Sequence, residues 1–138
     1  MIKKNELVYI CSPLSAPTKM QMRENMNRAR FYVNVISSQF GCREIAPHVF
    51  LPEYLDDNIP EERAIGLQFG LAVLERSKAV IVCGNRITTG MSGEIKRAKE
   101  LQIPIYALLI QENKISLTGF EEREGSYGMP VCKDNFSE

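Results

Sequence analysis

The chain has 138 residues, with 17 basic and 17 acidic side chains and a formal net charge of zero. This length suits one domain, residues 1–138, with a single core, and the charge balance argues against a reader of nucleic acid or a protein drawn to anionic membranes. The apolar runs are far shorter than the roughly 20 residues of a membrane span, and residues 1–11 do not resemble a secretory signal, so we expect a cytoplasmic protein.

The cysteines are widely spaced and form no C-x-x-C pair; they are Cys11, Cys42, Cys83 and Cys132. Because His48 is the one histidine, a zinc site has few ligands, and we expect neither a metal nor a cofactor. Cys11 and Cys83 lie within or at the ends of apolar runs, where a thiol behaves as a small hydrophobe. We interpret them as reduced core residues in a reducing compartment.

The first half of the chain predicts two strands and a long helix. Residues 7–11 are a continuous apolar run, which is typical of a strand covered on both faces. A Thr-x-x-Gln capping pattern at Thr18 then opens an amphipathic helix, which ends near Gly41. Residues 44–46 predict a short second strand. Residues 51–60 are irregular and long for a mere connection.

The second half continues the alternation. Pro60 suits the first turn of a second helix, which extends to about Ser77. Its predicted buried stripe comprises Ile65, Phe69, Ala72 and Val73. Residues 79–83 carry the strongest strand signal, and a third helix around Ile95 precedes a strand at residues 103–109.

This alternation predicts the fold class. Strands that alternate with helices imply right-handed crossovers and a parallel sheet. We therefore predict a three-layer α/β domain, Rossmann-like or flavodoxin-like, with four or five parallel strands. The loops after the strands then meet at the carboxyl edge, where such sheets bind ligands. Residues 110–138 show little apolar periodicity, and we interpret them as a docked tail or an arm at a subunit interface.

Residues 84–94 join a buried strand to a helix and are rich in glycine and hydroxyl side chains. Glycines let a ligand approach the backbone, and the N–H groups of a first helical turn favour an anion such as phosphate. We place Glu94 in that first turn, where the helix dipole favours its ionised form. Such a carboxylate can act as a nucleophile or stabilise a cationic centre. A glutamate that merely complements the helix end is an equal alternative.

Several segments resemble the nucleoside 2-deoxyribosyltransferase superfamily, and most closely its short phage and bacterial branch. They are Val8-Tyr9-Ile10-Cys11-Ser12-Pro13, Ala46-Pro47-His48, Glu62-Arg63-x-x-Gly66 and Gly90-Met91-x-x-Glu94-Ile95, followed by Ala98 and Ile103-Pro104. The resemblance implies that Glu94 attacks the anomeric carbon of a sugar and expels the base. A second base or water then resolves the glycosyl-enzyme, which matches the chemistry of a retaining glycosidase.

The 84–94 loop and the resemblance together predict the rest of the site. The predicted ligand-binding residues are Tyr9, Ser12, Pro13, Arg63, Gly84, Thr88, Gly90, Met91 and Ser92. His48 is a candidate general acid, because imidazole titrates near neutral pH; a loop histidine bonded to backbone is its structural alternative. For Arg63 the alternatives are a bidentate pair with a ligand anion and a weak surface pair with Glu62 or Asp57.

Two positions depart from the superfamily pattern. Thr88 stands where the transferases carry an aspartate, and a hydroxyl there resembles the branch that hydrolyses nucleoside 5′-monophosphates. Gly70 stands where transferases and hydrolases carry a second site aspartate. The role of that aspartate in base departure is therefore unassigned, and the candidates from the long loop are Asp56, Asp57 and His48.

Two functions fit these residues. The first is an enzyme, a transferase or hydrolase, that acts at the N-glycosidic bond with Glu94 as nucleophile. The second is a non-catalytic binder that sequesters a nucleotide or an ADP-ribose-type signal, such as a phage protein directed against host defence. A binder needs the pocket but not base departure, and Gly70 fits that requirement. Either takes a small molecule, a nucleoside, nucleotide or ADP-ribose derivative. The resemblance also implies a homo-oligomer whose subunits complete each other's sites, with Tyr127 and Asn135 as candidate contributors.

Overall fold

The computed structural model describes residues 2–120, and its strands and helices alternate. In chain order they are β1 (Leu7–Cys11), α1 (Lys19–Phe40), β2 (Arg43–Ile45), α2 (Pro60–Glu75), β3 (Ala79–Val82), α3 (Thr89–Glu100), β4 (Ile105–Gln111) and β5 (Lys114–Gly119). Short 3-10 turns at Pro47–Val49 and Leu51–Glu53 lie between β2 and α2. The two predicted subunit-contact residues, Tyr127 and Asn135, fall outside the described residues.

The strands form one five-stranded sheet in the order β2-β1-β3-β4-β5. β1, β2, β3 and β4 run parallel to one another, whereas β5 pairs antiparallel with β4. This is the flavodoxin-like order, in which ligands bind at the β1/β3 switch point. The predicted α/β class is therefore confirmed, with an antiparallel fifth strand as the one difference in the sheet.

The strand β5 corrects the interpretation of residues 110–138 as a tail. A two-residue turn at Glu112 and Asn113, with φ of 44° and 70°, folds β5 back onto β4, as left-handed turn residues do in tight hairpins. Ile115 and Leu117 pack against the core and alternate with exposed polar residues. The prediction missed this strand because Glu-Asn is a weaker hairpin signal than Asn-Gly.

Helix α1 covers one face of the sheet and has the predicted caps. The Thr18 hydroxyl accepts a hydrogen bond from the Gln21 amide at 3.1 Å, and Gly41 ends the helix at φ 64°. Its buried residues are Met26, Ala29, Tyr32 and Ile36. Of these, Tyr32 and Ile36 pack in a cluster with the β1 residues Val8 and Ile10. Although α1 is 22 residues long, neither it nor another helix within residues 2–120 is both long and apolar enough to cross a membrane.

Helices α2 and α3 cover the opposite face. Successive strand side chains point to opposite faces of a sheet, so Tyr9 and Cys11 leave β1 on the side away from α1. There they join a second buried cluster, whose other members are Leu74, Val80, Val82, Met91, Ile95 and Ala98. The result is the predicted three-layer arrangement.

The buried stripe predicted for α2 is wrong. Ile65 is 53% exposed and Phe69 is 41% exposed, Ala72 is exposed and Val73 is only half-buried. Leu74 is instead the buried residue of the helix. A helical period identifies apolar stripes, but it does not show which stripe faces the sheet when the helix is apolar on several sides.

Glycines form the inner side of α2. A side-chain carbon at Gly66 would lie 3.6 Å from the Leu55 side chain, and one at Gly70 would lie 3.4 Å from the Tyr9 hydroxyl. Because glycine has no side chain, α2 approaches the edge of the sheet with its backbone. The large apolar side chains of the helix are consequently left on its outer sides.

Candidate functional site

The candidate site lies where the chain leaves β1 and β3 in opposite directions. The segment after β1 leads to α1 on one face of the sheet, and the segment after β3 leads to α3 on the other. These two strands pair in parallel from Val8–Ala79 to Cys11–Val82, so both segments begin at the same carboxyl edge. A divergence of this kind opens the crevice in which open α/β sheets bind ligands.

Glu94 projects from α3 into this crevice and meets two donors from β1. The Tyr9 hydroxyl donates to Oε2 of Glu94, and the Cys11 thiol donates to Oε1 at 3.4 Å. Tyr9 is 2% exposed and Cys11 is fully buried. Both oxygens of the carboxylate are thus held by groups on a rigid strand.

The protonation states of these groups follow from their burial. Burial raises the pKa of Glu94, while the hydrogen bonds from Tyr9 and Cys11 lower it in part. Burial and the nearby Glu94 charge raise the pKa of Tyr9 and that of Cys11. Tyr9 and Cys11 therefore stay protonated at neutral pH and donate to Glu94, as a carboxylate needs.

Glu94 does not lie in the first turn of its helix, which corrects our placement of it. Thr88 is the N-cap, its hydroxyl accepts from the Met91 amide at 3.2 Å, and α3 begins at Thr89. Glu94 consequently falls in the second turn, whereas the helix-dipole effect is confined largely to the first. Its interpretation as a mere helix-end charge loses its basis.

Cys11 is the site residue that the sequence interpretation missed. It was predicted only as a core thiol, and the structure does bury the cysteines Cys11, Cys42 and Cys83. The available signal was strand alternation, because Tyr9 and Cys11 are two residues apart and must share a face. That signal becomes informative only once the face is known to be the one that carries Glu94.

Ser12 and His48 form a second pair at the same edge. Ser12 Oγ and His48 Nε2 are 2.6 Å apart, and this bond ties the segment after β1 to the turn after β2. Burial lowers the pKa of His48 to about 4, so the imidazole is neutral at pH 7. A neutral imidazole with one nitrogen engaged by Ser12 is a weak proton donor, which argues against the general-acid role predicted for His48.

Gly84 and Pro13 pack against each other beside this pair. Gly84 has φ +98°, and a side-chain carbon there would lie 3.1 Å from Cδ of Pro13. Gly84 is buried, so the neighbouring chain has little room to move away. Glycine at this position lets the β3 loop lie directly against the β1 loop.

We expect Gly84→Ala to lower the free energy of unfolding by about 1–3 kcal/mol, because alanine is strained at this φ and meets Pro13. Gly93→Ala is the matched control, since nothing lies within 4 Å of the added carbon; inside α3 it should stabilise by up to about 1 kcal/mol. Chemical denaturation of both variants measures the difference. A Gly84→Ala protein as stable as the wild type would contradict the close packing.

The remaining residues of the 84–94 loop have unequal access to a ligand. Gly90 and Ser92 are exposed, while the Thr88 hydroxyl already caps α3. Met91 is 2% exposed and packs in the core behind Glu94. Its assignment as a ligand-binding residue stays a prediction.

Arg63 lies on the wall of a groove of about 970 Å³ between the start of α1 and the segment before α2, and Glu94 does not line this groove. Asp56 and Asp57 line the same groove. The amide of Asp56 donates to Glu62, and its carboxylate accepts from Asn58. The three predicted polar residues of this region thus sit at the groove rather than on Glu94. In the described part of the chain, no cluster of three or more His, Cys, Asp or Glu side chains could hold a metal ion.

Comparison with solved structures shows a shared fold. The chain is similar to the 2-deoxyribosyltransferase of the psychrotolerant bacterium Bacillus psychrosaccharolyticus, with a TM-score of 0.54 and 14% sequence identity. The similarity covers 73% of this chain and 70% of that chain. At 14% identity the similarity shows a shared fold alone.

No curated protein matches the sequence. A family defined by sequence does match, and it spans residues 6–108, from the start of β1 into β4. This range includes both donors, Glu94 and the pair of Ser12 and His48. The chain therefore belongs to the family described as Domain of unknown function (DUF7768).

Proposed function

We propose that the protein processes a nucleoside or nucleotide by cleaving or transferring at the N-glycosidic bond, with Glu94 as the nucleophile. The observation that carries this proposal is the pair of donors on Glu94, Tyr9 on one oxygen and Cys11 on the other. A half-buried carboxylate held by two protonated groups at a ligand-binding edge supports a reactive role rather than a structural one. The shared fold with a 2-deoxyribosyltransferase supports this reading.

In the proposed reaction, one oxygen of Glu94 bonds to the anomeric carbon as the bond to the base breaks. The electron pair of that bond leaves with the base nitrogen, which takes up a proton from solvent water. Water or a second base then attacks the same carbon and releases Glu94. A thiol is a weak hydrogen-bond donor, so Oε1, held only by Cys11, is the oxygen more readily freed to attack.

Tyr9 serves both halves of this reaction. Its hydrogen bond stabilises the ionised carboxylate before attack, and the same bond stabilises the carboxylate again as it leaves the sugar. Burial raises the pKa of Glu94 and so favours its protonated form, and a protonated carboxyl group is not a nucleophile. The proposal therefore gives Tyr9 the task of keeping Glu94 ionised inside the crevice.

Gly70 supports the second candidate function, a binder that sequesters a nucleotide or an ADP-ribose-type signal. A side chain at this position would point at the Tyr9 hydroxyl, 3.4 Å away, so a carboxylate there would stand beside Glu94. The described residues place no other carboxylate on Tyr9 or Glu94 in its stead. Base departure then lacks a protein acid, which a binder does not need.

The two candidates are separated by incubating the protein with nucleosides, nucleotides and ADP-ribose derivatives, followed by mass analysis of the solution and of the protein. We expect released base, together with a glycosyl adduct on Glu94 or an exchanged nucleoside. A ligand that is retained but unchanged establishes the binder instead. If the protein neither turns over nor retains any of these compounds, both candidates are contradicted.

We also propose that the protein is a homo-oligomer, as the resemblance implies. Tyr127 and Asn135 cannot be placed, because they lie beyond the described residues.

A further inference from the structure

Helix α2 leaves large apolar side chains exposed, although Phe69 keeps an edge-to-face contact with Phe50 of its own chain, with 6.0 Å between the ring centroids. Ile65 and Leu67 are 53% and 55% exposed, and Phe69 and Leu71 are 41% and 40% exposed. Leu74 alone on this helix is buried. A helix on the surface of a monomer normally shows the opposite arrangement, with its apolar side chains inward.

The outer side of α2 also lacks charge. From Ala64 to Leu74 the chain carries no Asp, Glu, Lys or Arg, although this stretch is three helical turns long. Contiguous exposed apolar surface of this kind marks an interaction site on a folded protein. Since the inner side is fixed by Gly66 against Leu55 and Gly70 against Tyr9, the helix cannot rotate to bury these side chains within its own chain.

We propose that the outer face of α2 binds the same face of a second copy of the chain, as an antiparallel helix pair with its twofold axis at Gln68. The apolar residues are placed symmetrically about Gln68. Ile65 and Leu71 lie three residues to either side of it, and Leu67 and Phe69 lie one residue to either side. In a twofold pair each Ile65 lies level with Leu71 of the second copy, close to the axis, while Leu67 and Phe69 lie on the two flanks of the paired helices.

The small residues and the charges of α2 fit the same arrangement. Ala64, Gln68 and Ala72 recur every four residues, on one line along the helix, and the two alanines let the paired helices approach closely. Glu61 is in the first turn of α2 and the exposed Arg76 is its C-cap. Antiparallel pairing sets Glu61 of one copy beside Arg76 of the second copy, so the ends of the interface attract.

A second copy explains this pattern better than a covering segment of the same chain would. Apolar side chains lie on both sides of the line formed by Ala64, Gln68 and Ala72. An identical helix that runs in the opposite direction presents the same arrangement of apolar side chains. Glutamine on the axis is neutral and both donates and accepts hydrogen bonds, so it tolerates meeting its own copy. These features are properties of self-association.

Charge at the axis tests the proposal. We expect the wild-type chain to be dimeric at micromolar concentration by light scattering coupled to size exclusion. Gln68→Glu and Gln68→Lys each place like charges across the axis, and each should weaken the dimer at least about tenfold, since like charges across an interface are strongly unfavourable. Mixing the two variants should restore a dimer, because glutamate then faces lysine.

Gln39→Glu and Gln39→Lys are the matched controls, since Gln39 is an exposed glutamine on α1. They should dimerise like the wild type, alone or mixed. A monomeric wild-type chain would overturn the proposal, and so would Gln68 variants that associate as well as the Gln39 variants. A dimer that the single Gln68 substitutions weaken but that mixing fails to restore would place the twofold axis elsewhere and would also overturn it. None of these outcomes depends on Glu94 or on turnover.

Discussion

Replacing Glu94 by glutamine is expected to lower turnover by at least about three orders of magnitude, as the loss of an enzyme nucleophile commonly does. Glutamine keeps the shape of the side chain but has neither the negative charge nor the oxygen that bonds to the sugar. Binding should change little, because the lost interaction forms mainly in the transition state. The measurement is product formation and ligand affinity for both proteins.

The matched control is Glu100→Gln, which removes an exposed carboxylate from the same helix. It should retain wild-type turnover, and thermal unfolding of both variants checks that they are folded. If the protein is a binder, Glu94→Gln alters affinity through one ligand contact, by about 0.5–3 kcal/mol. Undiminished catalysis by a folded Glu94→Gln protein would end the nucleophile hypothesis.

Replacing Tyr9 by phenylalanine is expected to shift the acid limb of kcat/KM to higher pH. The Tyr9 hydrogen bond lowers the pKa of Glu94 against the effect of burial, so its removal lets that pKa rise. A hydrogen bond to a charged group contributes about 1.5–3 kcal/mol, so the ionised form of Glu94 loses stabilisation of that order in the variant. On the acid limb, the turnover of the variant at a given pH should fall about 10- to 100-fold. At high pH its rate should approach that of the wild type.

Tyr106→Phe is the control for this experiment. Tyr106 lies on β4 and packs against the core on the α1 side of the sheet, so its hydroxyl should not affect the titration of Glu94. A pH profile of kcat/KM for the wild type and both variants provides the comparison. A uniform loss of rate in Tyr9→Phe, without movement of the limb, would show that Tyr9 positions a ligand rather than tuning Glu94.

The fold was largely predictable because its signals are local. Residues 7–11 and 79–83 are unbroken apolar runs, and Thr18 and Gly41 bound α1 by hydrogen bonds within a few residues. The errors arose where tertiary contacts decide. Whether Ile65 or Leu74 of α2 is buried depends on how closely Gly70 lets the helix approach Tyr9, and no helical period contains that information.

The site was predictable by residue type but not by pairing. Glu94 and Tyr9 were both identified, yet 85 positions separate them, and only the parallel pairing of β1 with β3 brings them together. The second donor, Cys11, is of a residue type that is common in cores, and its other contacts are with a buried apolar cluster. The turn in which Glu94 lies was also misjudged, because Thr88 rather than a later residue caps α3.

The edge strand β2 limits how copies of this protein can join. It has three residues, about 10 Å of backbone, and two of them, Arg43 and Glu44, are charged. Arg43 also folds its side chain back to donate to the Asn5 carbonyl at 2.8 Å. Short, charged edges do not template a further strand. On this side the folded chain therefore resists growth into a continuous intermolecular sheet.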